Sequence, residues 1–258
     1  MKSRIKLTFL GTGTSQGIPV IASSHPVCHS SDPRDTRLRV SVLLEWKDSK
    51  YVIDCGPDFR YQMLRANCQR VDGVLFTHEH SDHTAGIDDI RPYYFKQGVM
   101  PFYAHKRVFE SLYQRFAYIF KEGEKYPGAP TIEEHHIDKD HSFIIGGKTV
   151  IPIEAWHYKI PVLGFRIDDL TYLTDVKTMN KEEREKIKGS KVLVVNALRE
   201  TEHHSHFNLK EALEFIEDVN PERAYLTHIS HLLGFHKEVE KKLPKNVFLA
   251  YDTLQIEI

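Results

Sequence analysis

The sequence predicts an α/β protein with mixed β-sheets, organised as one domain over residues 1–258. Three observations point there. The first third of the chain is a series of short apolar runs set between turn signals. The middle carries two hairpin patterns, and the last third alternates strand and helix patterns. A chain of 258 residues can bury one sizeable core, so a single unit is the expectation.

Taken in order, "IKLTFL", "LRVSVLLEW" and "YVID" read as strands, with "WKDSK" turning between the last two. "PDFRYQMLRANC" reads as a short helix with Pro57 at its start, where a missing N–H costs nothing. "VDGVLFT" is a strand. "HKRVFESLYQRFAYIF" has helical apolar spacing at Val108, Leu112, Phe116 and Phe120. A Gly/Pro-bearing loop, "EGEKYPGAP", leads to "FIIGGKTVIPI" and "GFRIDDLTYLT", which read as hairpins with Gly-Gly and Asp-Asp turns. Then come helix "KEEREKIKG", strand "KVLVVN", helix "NLKEALEFIEDV", strand "RAYLTH", helix "HKEVEKKL" and a final strand run, "VFLAYDTLQIEI".

Thirty-five Lys+Arg stand against thirty-six Asp+Glu, which leaves no global field for capturing nucleic acid or an acidic membrane surface. Three cysteines, Cys28, Cys55 and Cys68, cannot build a disulfide framework and favour a reducing compartment. The opening "MKSRIKLTFLGTGTSQG" has only a short apolar run before Gly11, too short for a signal-peptide core or a membrane span. The expectation is a soluble cytoplasmic protein. Sixteen histidines are the compositional oddity.

Those histidines concentrate in "VLFTHEHSDHTAG", where His78, His80, Asp82 and His83 crowd the end of an apolar strand. Outside a metal site that crowding is expensive. His78 and His80 face the same side of an extended segment, and imidazole with carboxylate suits zinc, manganese or iron. The zincin pattern H-E-x-x-H fails, because Asp82 stands where its second His belongs. So many candidate ligands exceed what one ion can use, so two ions sharing a carboxylate is the economical solution. Three strands end alike: "VLFTH" in His78, "TYLTD" in Asp175 and "AYLTH" in His228, and "YVID" similarly ends in Asp54. Functional groups collect at strand C-termini in layered α/β folds, so these residues are expected on a shared rim. Taken singly, each reads equally well as a polar strand end.

With T-H-x-H-x-D-H after a hydrophobic strand, an isolated His, a strand-end Asp and a later strand-end His, the chain resembles the metallo-β-lactamase superfamily. "GTGTSQGIPV", "IDCGPDFR", "HYKIPVLGFRI", "HSHFNLKEALE" and "LTHISH" are similar to its phosphoribosyl cyclic phosphodiesterase branch. The resemblance implies an αββα sandwich of two mixed sheets with helices on the outer faces. It implies His78, His80 and His157 on one metal, Asp82, His83 and His228 on the other, and Asp175 bridging. His157 alone would read as an ordinary interior histidine. Asp54 is expected behind a ligand imidazole, fixing its tautomer. Two ions about 3.5–4 Å apart would lower the pKa of a shared water and clamp a phosphoryl oxygen. His206, before "NLKEALE", is the expected general acid, as an imidazole near its unperturbed pKa. His203 and His204 are alternatives by sequence, and the resemblance selects His206. The metals are expected to be zinc or manganese, with iron also compatible, and the resemblance raises a homodimer.

Two motifs mislead. "GTGTSQG" lacks the Gly-Lys-Ser/Thr of a phosphate loop and has Gln16 where a dinucleotide fingerprint needs Gly, so no nucleotide cofactor is expected. In "SSHPVCH", the family's additional structural zinc site would fall on Ser23, His25 and Cys28, completed by His231. Ser23 is a poor substitute for a thiolate, so a degraded zinc site competes with an ordinary loop.

The expected function is hydrolysis of a phosphodiester, small or cyclic, such as a phosphoribosyl cyclic phosphate. The rivals are a tRNA 3′-processing nuclease, a lactone or thioester hydrolase on the same centre, and a non-catalytic scaffold. The near-zero charge, and the absence of anything resembling the nuclease's long basic arm, argue against nucleic acid. The full ligand set argues against a scaffold.

Overall fold

Alternation along the strands sorts the side chains into layers, and the computed structural model shows where each layer lies. It describes residues 4–258 except Glu122 and Glu124, so part of the expected "EGEKYPGAP" loop, like Met1–Ser3 of the opening segment, lies outside the described residues. The first half runs β1 (Lys6–Gly11), β2 (Ser41–Trp46), β3 (Ser49–Ile53), α1 (Phe59–Arg65), β4 (Gly73–Leu75), α2 (Ser81–Thr84), α3 (Arg91–Gln97), β5 (Met100–Ala104), α4 (Lys106–Arg115), α5 (Ala117–Phe120) and β6 (Ile132–His136). The second half runs β7 (Phe143–Ile145), β8 (Lys148–His157), β9 (Ile160–Ile167), β10 (Leu170–Tyr172), α6 (Lys181–Ile187), β11 (Val192–Asn196), α7 (Leu209–Val219), β12 (Arg223–Thr227), α8 (His236–Glu240), β13 (Val247–Leu249) and β14 (Gln255–Glu257).

Two seven-stranded sheets result, in the orders β14-β1-β2-β3-β4-β5-β6 and β13-β12-β11-β10-β9-β8-β7. Each is antiparallel through its hairpins and parallel where helices intervene. Period two then does the sorting. Val42 and Leu44 of β2 face Val192 and Val194 of β11 across the inter-sheet core. Leu43 turns outward to the layer of α1 and α4, with Phe59, Met63, Val108 and Leu112. Leu193 and Val195 turn the other way, to Ala212, Phe215 and Ile216 of α7. This is the αββα sandwich the resemblance implied.

Several details differ from expectation. The helix expected from Pro57 begins at Phe59, and Pro57 sits in the preceding turn. The helix expected through Phe120 breaks at Phe116 (φ −124°, ψ 40°), leaving α4 and α5. The strands β5 and β6 and the helix α3 carried no clear sequence signal. β6, "IEEHH", is an edge strand with little to bury, so its composition is polar. The final "VFLAYDTLQIEI" divides: β13 ends the second sheet, and β14 crosses to pair with β1 in the first. The two expected hairpins are also joined, since β8 and β9 pair along their length through a two-residue turn at Tyr158 and Lys159.

Candidate metal centre

The strand ends converge on one rim. Asp54, Asp175 and His228 follow β3, β10 and β12, and all three take left-handed backbone angles (φ 65°, 58° and 53°). Non-glycine residues rarely adopt that conformation, and it turns each chain off its strand at the rim. His78 lies just past β4, Asp82 and His83 open α2, and His157 closes β8. The imidazoles form a continuous cluster. Ring centroids are 4.6 Å apart for His78–His80, 4.2 Å for His78–His83 and 5.1 Å for His80–His157. They are 5.8 Å apart for His83–His228.

Asp175 lies among them. Its Oδ2 is 3.3 Å from His83 Nε2, and its Oδ1 is 3.3 Å from His228 Nε2 and 3.0 Å from His206 Nε2. Asp82 Oδ2 lies 3.3 Å from His83 Nε2 and 3.6 Å from His228 Nε2. Three sets place their ligand atoms within 4.8 Å of one another: His78, His83 and Asp175; Asp82, His83 and His228; and His157, Asp175 and His206. The second coincides with one expected ligand set. In the others Asp175 recurs. His80 joins by ring contact alone, and the third set includes His206, which had been expected only as an acid.

Hydrogen bonds behind the cluster decide which nitrogen faces inward. His83 Nδ1 donates to Asp54 Oδ2 at 2.7 Å, and His157 Nδ1 donates to the Ser205 carbonyl at 2.9 Å. Thr77 Oγ1 donates to Asp54 Oδ2 at 2.9 Å and accepts from His78 Nδ1 at 3.0 Å. Asp54 thus accepts its bonds on the outer side of the imidazole cluster. The Nε2 atoms of His78, His83 and His228 are buried without a hydrogen-bond partner. Buried polar atoms rarely stay unpaired, and inward lone pairs beside buried carboxylates fit a divalent ion. The donor set therefore suits metal.

The charges agree. Burial opposes the anion at Asp175 and at Asp82, but His228 and His83 outweigh it and hold both carboxyls well below their usual range. Burial opposes the cation at His83, yet Asp82, Asp175 and Asp54 drive its pKa well above normal. Burial pushes His78 and His157 down. A lone imidazolium among three carboxylates is a weak substitute for the charge the cluster demands.

His206 departs from its expected state. Burial lowers its pKa to about 4 against the pull of Asp175, so at neutral pH it is a neutral imidazole sharing its Nε2–H with that carboxylate. His203, an alternative by sequence, stands behind it, with the two Nδ1 atoms 3.2 Å apart. At the loop of Ser23, the His25 and His231 rings meet edge to face at 5.0 Å. His25 Nδ1 accepts from the Val27 N–H, Cys28 Sγ accepts from the Val20 N–H, and Ser23 Oγ accepts from the His25 N–H. The loop closes on its own hydrogen bonds.

Sequence reasoning missed Ser205, Thr174, whose hydroxyl donates to Asp175 Oδ2 at 2.6 Å, and Arg115, which donates to the Glu79 carbonyl and to Thr84 Oγ1. The Thr that precedes Asp175, as Thr77 precedes His78, was the available signal for one of these supports. Nothing in the sequence ties Arg115, on α4, to the 79–84 segment.

The profile of the beta-lactamase superfamily domain matches residues 49–229, which spans every strand-end residue described above. The chain belongs to the metallo-β-lactamase superfamily. It has the fold of that superfamily, with His and Asp side chains gathered where a metal ion could be held. A solved diphosphatase of the PhnP family is similar at 35% identity and TM-score 0.92, covering 99% of this chain and 97% of that one. An octanoyltransferase of Porphyromonas gingivalis is 36% identical over 253 residues, 97% of this chain and 51% of that protein. A ribonuclease Z of Bradyrhizobium diazoefficiens is 36% identical over 83 residues, 31% of this chain and 22% of that protein. The chain thus spans about half the length of the first of these curated relatives, and less of the second. Among the described residues, no helix is long and apolar enough to cross a membrane.

Proposed function

We propose that the chain is a phosphodiesterase with a binuclear metal centre, acting on small or cyclic phosphodiesters. The observation that carries this reading is His206 Nε2 at 3.0 Å from Asp175, a protonated nitrogen at the edge of the ligand cluster. The full-length similarity to a diphosphatase supports it. His78, His80 and His157 would hold one ion and Asp82, His83 and His228 the other, with Asp175 between them. Bound divalent ions supply Lewis acidity toward a phosphoryl oxygen and bring the pKa of a water down to about 7.

The chain's own residues do the rest. Asp54, Thr77 and the Ser205 carbonyl hold the Nδ1–H groups of His83, His78 and His157, so their Nε2 lone pairs stay aimed inward. Asp82 keeps its charge because His83 and His228 favour the anion. As water oxygen bonds to phosphorus and the ester P–O bond breaks, the Nε2–H of neutral His206 donates a hydrogen bond to the leaving oxygen, which takes its proton from solvent water.

Carbonyl chemistry is the second reading, because the octanoyltransferase relative shares 253 aligned residues. Cys55, whose N–H donates to the His83 carbonyl, is fully buried, and burial raises its thiol well above the usual range. A thiol held protonated does not favour covalent acyl transfer. The deciding experiment loads the protein with zinc or manganese and assays it in parallel on bis(4-nitrophenyl) phosphate, phosphoribosyl 1,2-cyclic phosphate, pre-tRNA, a lactone and a thioester. Turnover confined to the carbonyl substrates overturns the proposal. His206→Ala should keep its metals and lose rate about 10²–10⁴-fold, most with poor leaving groups. An equal loss on every leaving group removes His206 as the donor to the leaving oxygen.

A further inference from the structure

Rings continue outward from the metal centre in an unbroken series. His206 lies 4.4 Å from His157 and 4.9 Å from His228, and His203 lies 5.1 Å from His206. His204 is 4.4 Å from His203, and Tyr158 meets His204 at 5.7 Å with the planes 89° apart. The series begins on buried candidate ligands and ends on a tyrosine that is 59% exposed.

The fold gives no reason for that tyrosine. Tyr158 occupies the first position of the β8–β9 turn at φ 57°. The turn of the next hairpin, between β9 and β10, places Asp168 there at φ 51°. A short polar residue suits left-handed backbone, and a bulky aromatic one does not. The ring contributes nothing to the core, yet it sits one residue beyond His157. Lys159 follows it, with Nζ 5.3 Å from the ring centroid. An exposed aromatic ring, an imidazole packed against it and an ammonium group are the elements that grip a planar, electron-rich ring attached to phosphate.

We propose that Tyr158 and His204 form a specificity subsite that stacks a nucleobase carried by the phosphodiester, with Lys159 meeting the anionic linkage. This narrows the substrate class to nucleoside-type phosphodiesters, and it rests on the phosphodiesterase reading. Base stacking tolerates any base because each has a π-face, so the subsite selects for the presence of a base over its identity.

Two diesters that differ only in the base test this: adenosine 5′-(methyl phosphate) and 1-O-methylribose 5-(methyl phosphate), assayed by methanol release. With the metal-loaded protein, Tyr158→Ala and His204→Ala each raise KM for the adenosine diester about tenfold and leave the base-free diester within about twofold, while Tyr158→Phe behaves as wild type. Calorimetric binding gives a readout apart from turnover. Adenosine 5′-monophosphate should bind about tenfold more weakly to Tyr158→Ala, and ribose 5-phosphate should bind unchanged. Equal KM values for the two diesters in the wild type, or equal losses on both in Tyr158→Ala, overturn the subsite. If the wild type cleaves neither diester, the phosphodiesterase reading is what fails. The two binding constants still decide the subsite then, since equal affinity for the nucleotide and the ribose phosphate refutes it.

Discussion

Asp54 shows how one buried carboxylate organises its neighbours. It has no lysine or arginine partner among the described residues, and burial raises its pKa against the opposing pull of His83. What holds it is a set of directed bonds: the Thr77 N–H at 2.8 Å, the Thr77 hydroxyl at 2.9 Å and His83 Nδ1–H at 2.7 Å. Each bond fixes a proton on the outer side of the cluster, so that lone pairs face inward. Removing such a support should weaken metal capture without dismantling the fold. Asp54→Ala is expected to lower metal affinity about 10–100-fold, measured by competition with a chelator. On the proposed binuclear reading Asp175→Ala removes a shared ligand instead, and should lose both ions and nearly all activity. An Asp54→Ala protein with unchanged affinity would show that the tautomer of His83 is held by something else.

Two glycines set how closely the 54–58 turn and the 80–86 segment approach. The Cys55 N–H donates to the His83 carbonyl at 2.8 Å, and the Gly86 N–H donates to the Cys55 carbonyl at 2.9 Å. A Cβ on Gly56 would collide with the Asp82 carbonyl oxygen, and one on Gly86 with the Gly56 carbonyl oxygen. Both collisions are with backbone, which cannot step aside without moving α2 and the Asp82 and His83 it carries. Gly56→Ala should therefore cost about 1–3 kcal/mol in urea unfolding and lower the metal content of the purified protein. A variant with full metal content would mean that α2 shifts without losing its aim. At this scale the sequence was legible where residues repeat a local rule. The strand-end residues, the Gly146–Gly147 turn and the helix of "NLKEALEFIEDV" were all readable, and the structure makes Asn208 the cap of that helix, accepting from the Glu211 N–H at 2.8 Å. The approach of Gly56 to Asp82 was not, because it joins segments through space with no periodicity to mark it. β5 and β6 were illegible for another reason. Pro101 interrupts the first, and the second has an edge strand's polarity. His206 was found by resemblance, and the state burial imposes on it was visible only in the fold.

At the scale of the molecule, one buried arginine links the two sheets near the chain's two ends. Arg37 Nη1 donates to Thr12 Oγ1 at 2.8 Å, just beyond β1, and to the Ala250 carbonyl at 2.5 Å, just beyond β13. Its Nη2 donates to His236 Nδ1 at 3.2 Å, at the start of α8. Burial draws the Arg37 pKa down to about 10, with Asp252 and Asp35 pulling the other way. For His236 Nδ1 to accept that bond the imidazole must be neutral, and burial followed by Arg37 and Arg34 lowers its pKa to about 4. Glu240 faces its Nε2 at 3.4 Å, the Asp35 carboxylate accepts its backbone N–H at 2.7 Å, and the Tyr251 ring lies at 5.6 Å. A group whose pKa falls from 6.5 to about 4 on folding contributes its full stability above pH 6.5. As pH drops through that window the unfolded chain takes up the proton first, so stability declines, and it levels off below the folded value. Histidines of the metal centre that are also held neutral act in the same direction, and His83 acts in the opposite one. The signal of His236 is therefore the difference between wild type and His236→Gln, both metal-free. That difference in urea-unfolding free energy should shift by about 2 kcal/mol between roughly pH 7 and pH 4.5, with the wild type losing more. A difference that stays constant across the window would mean that His236 is protonated alongside Arg37 in the folded protein, and that Glu240 or Asp35 compensates the second charge.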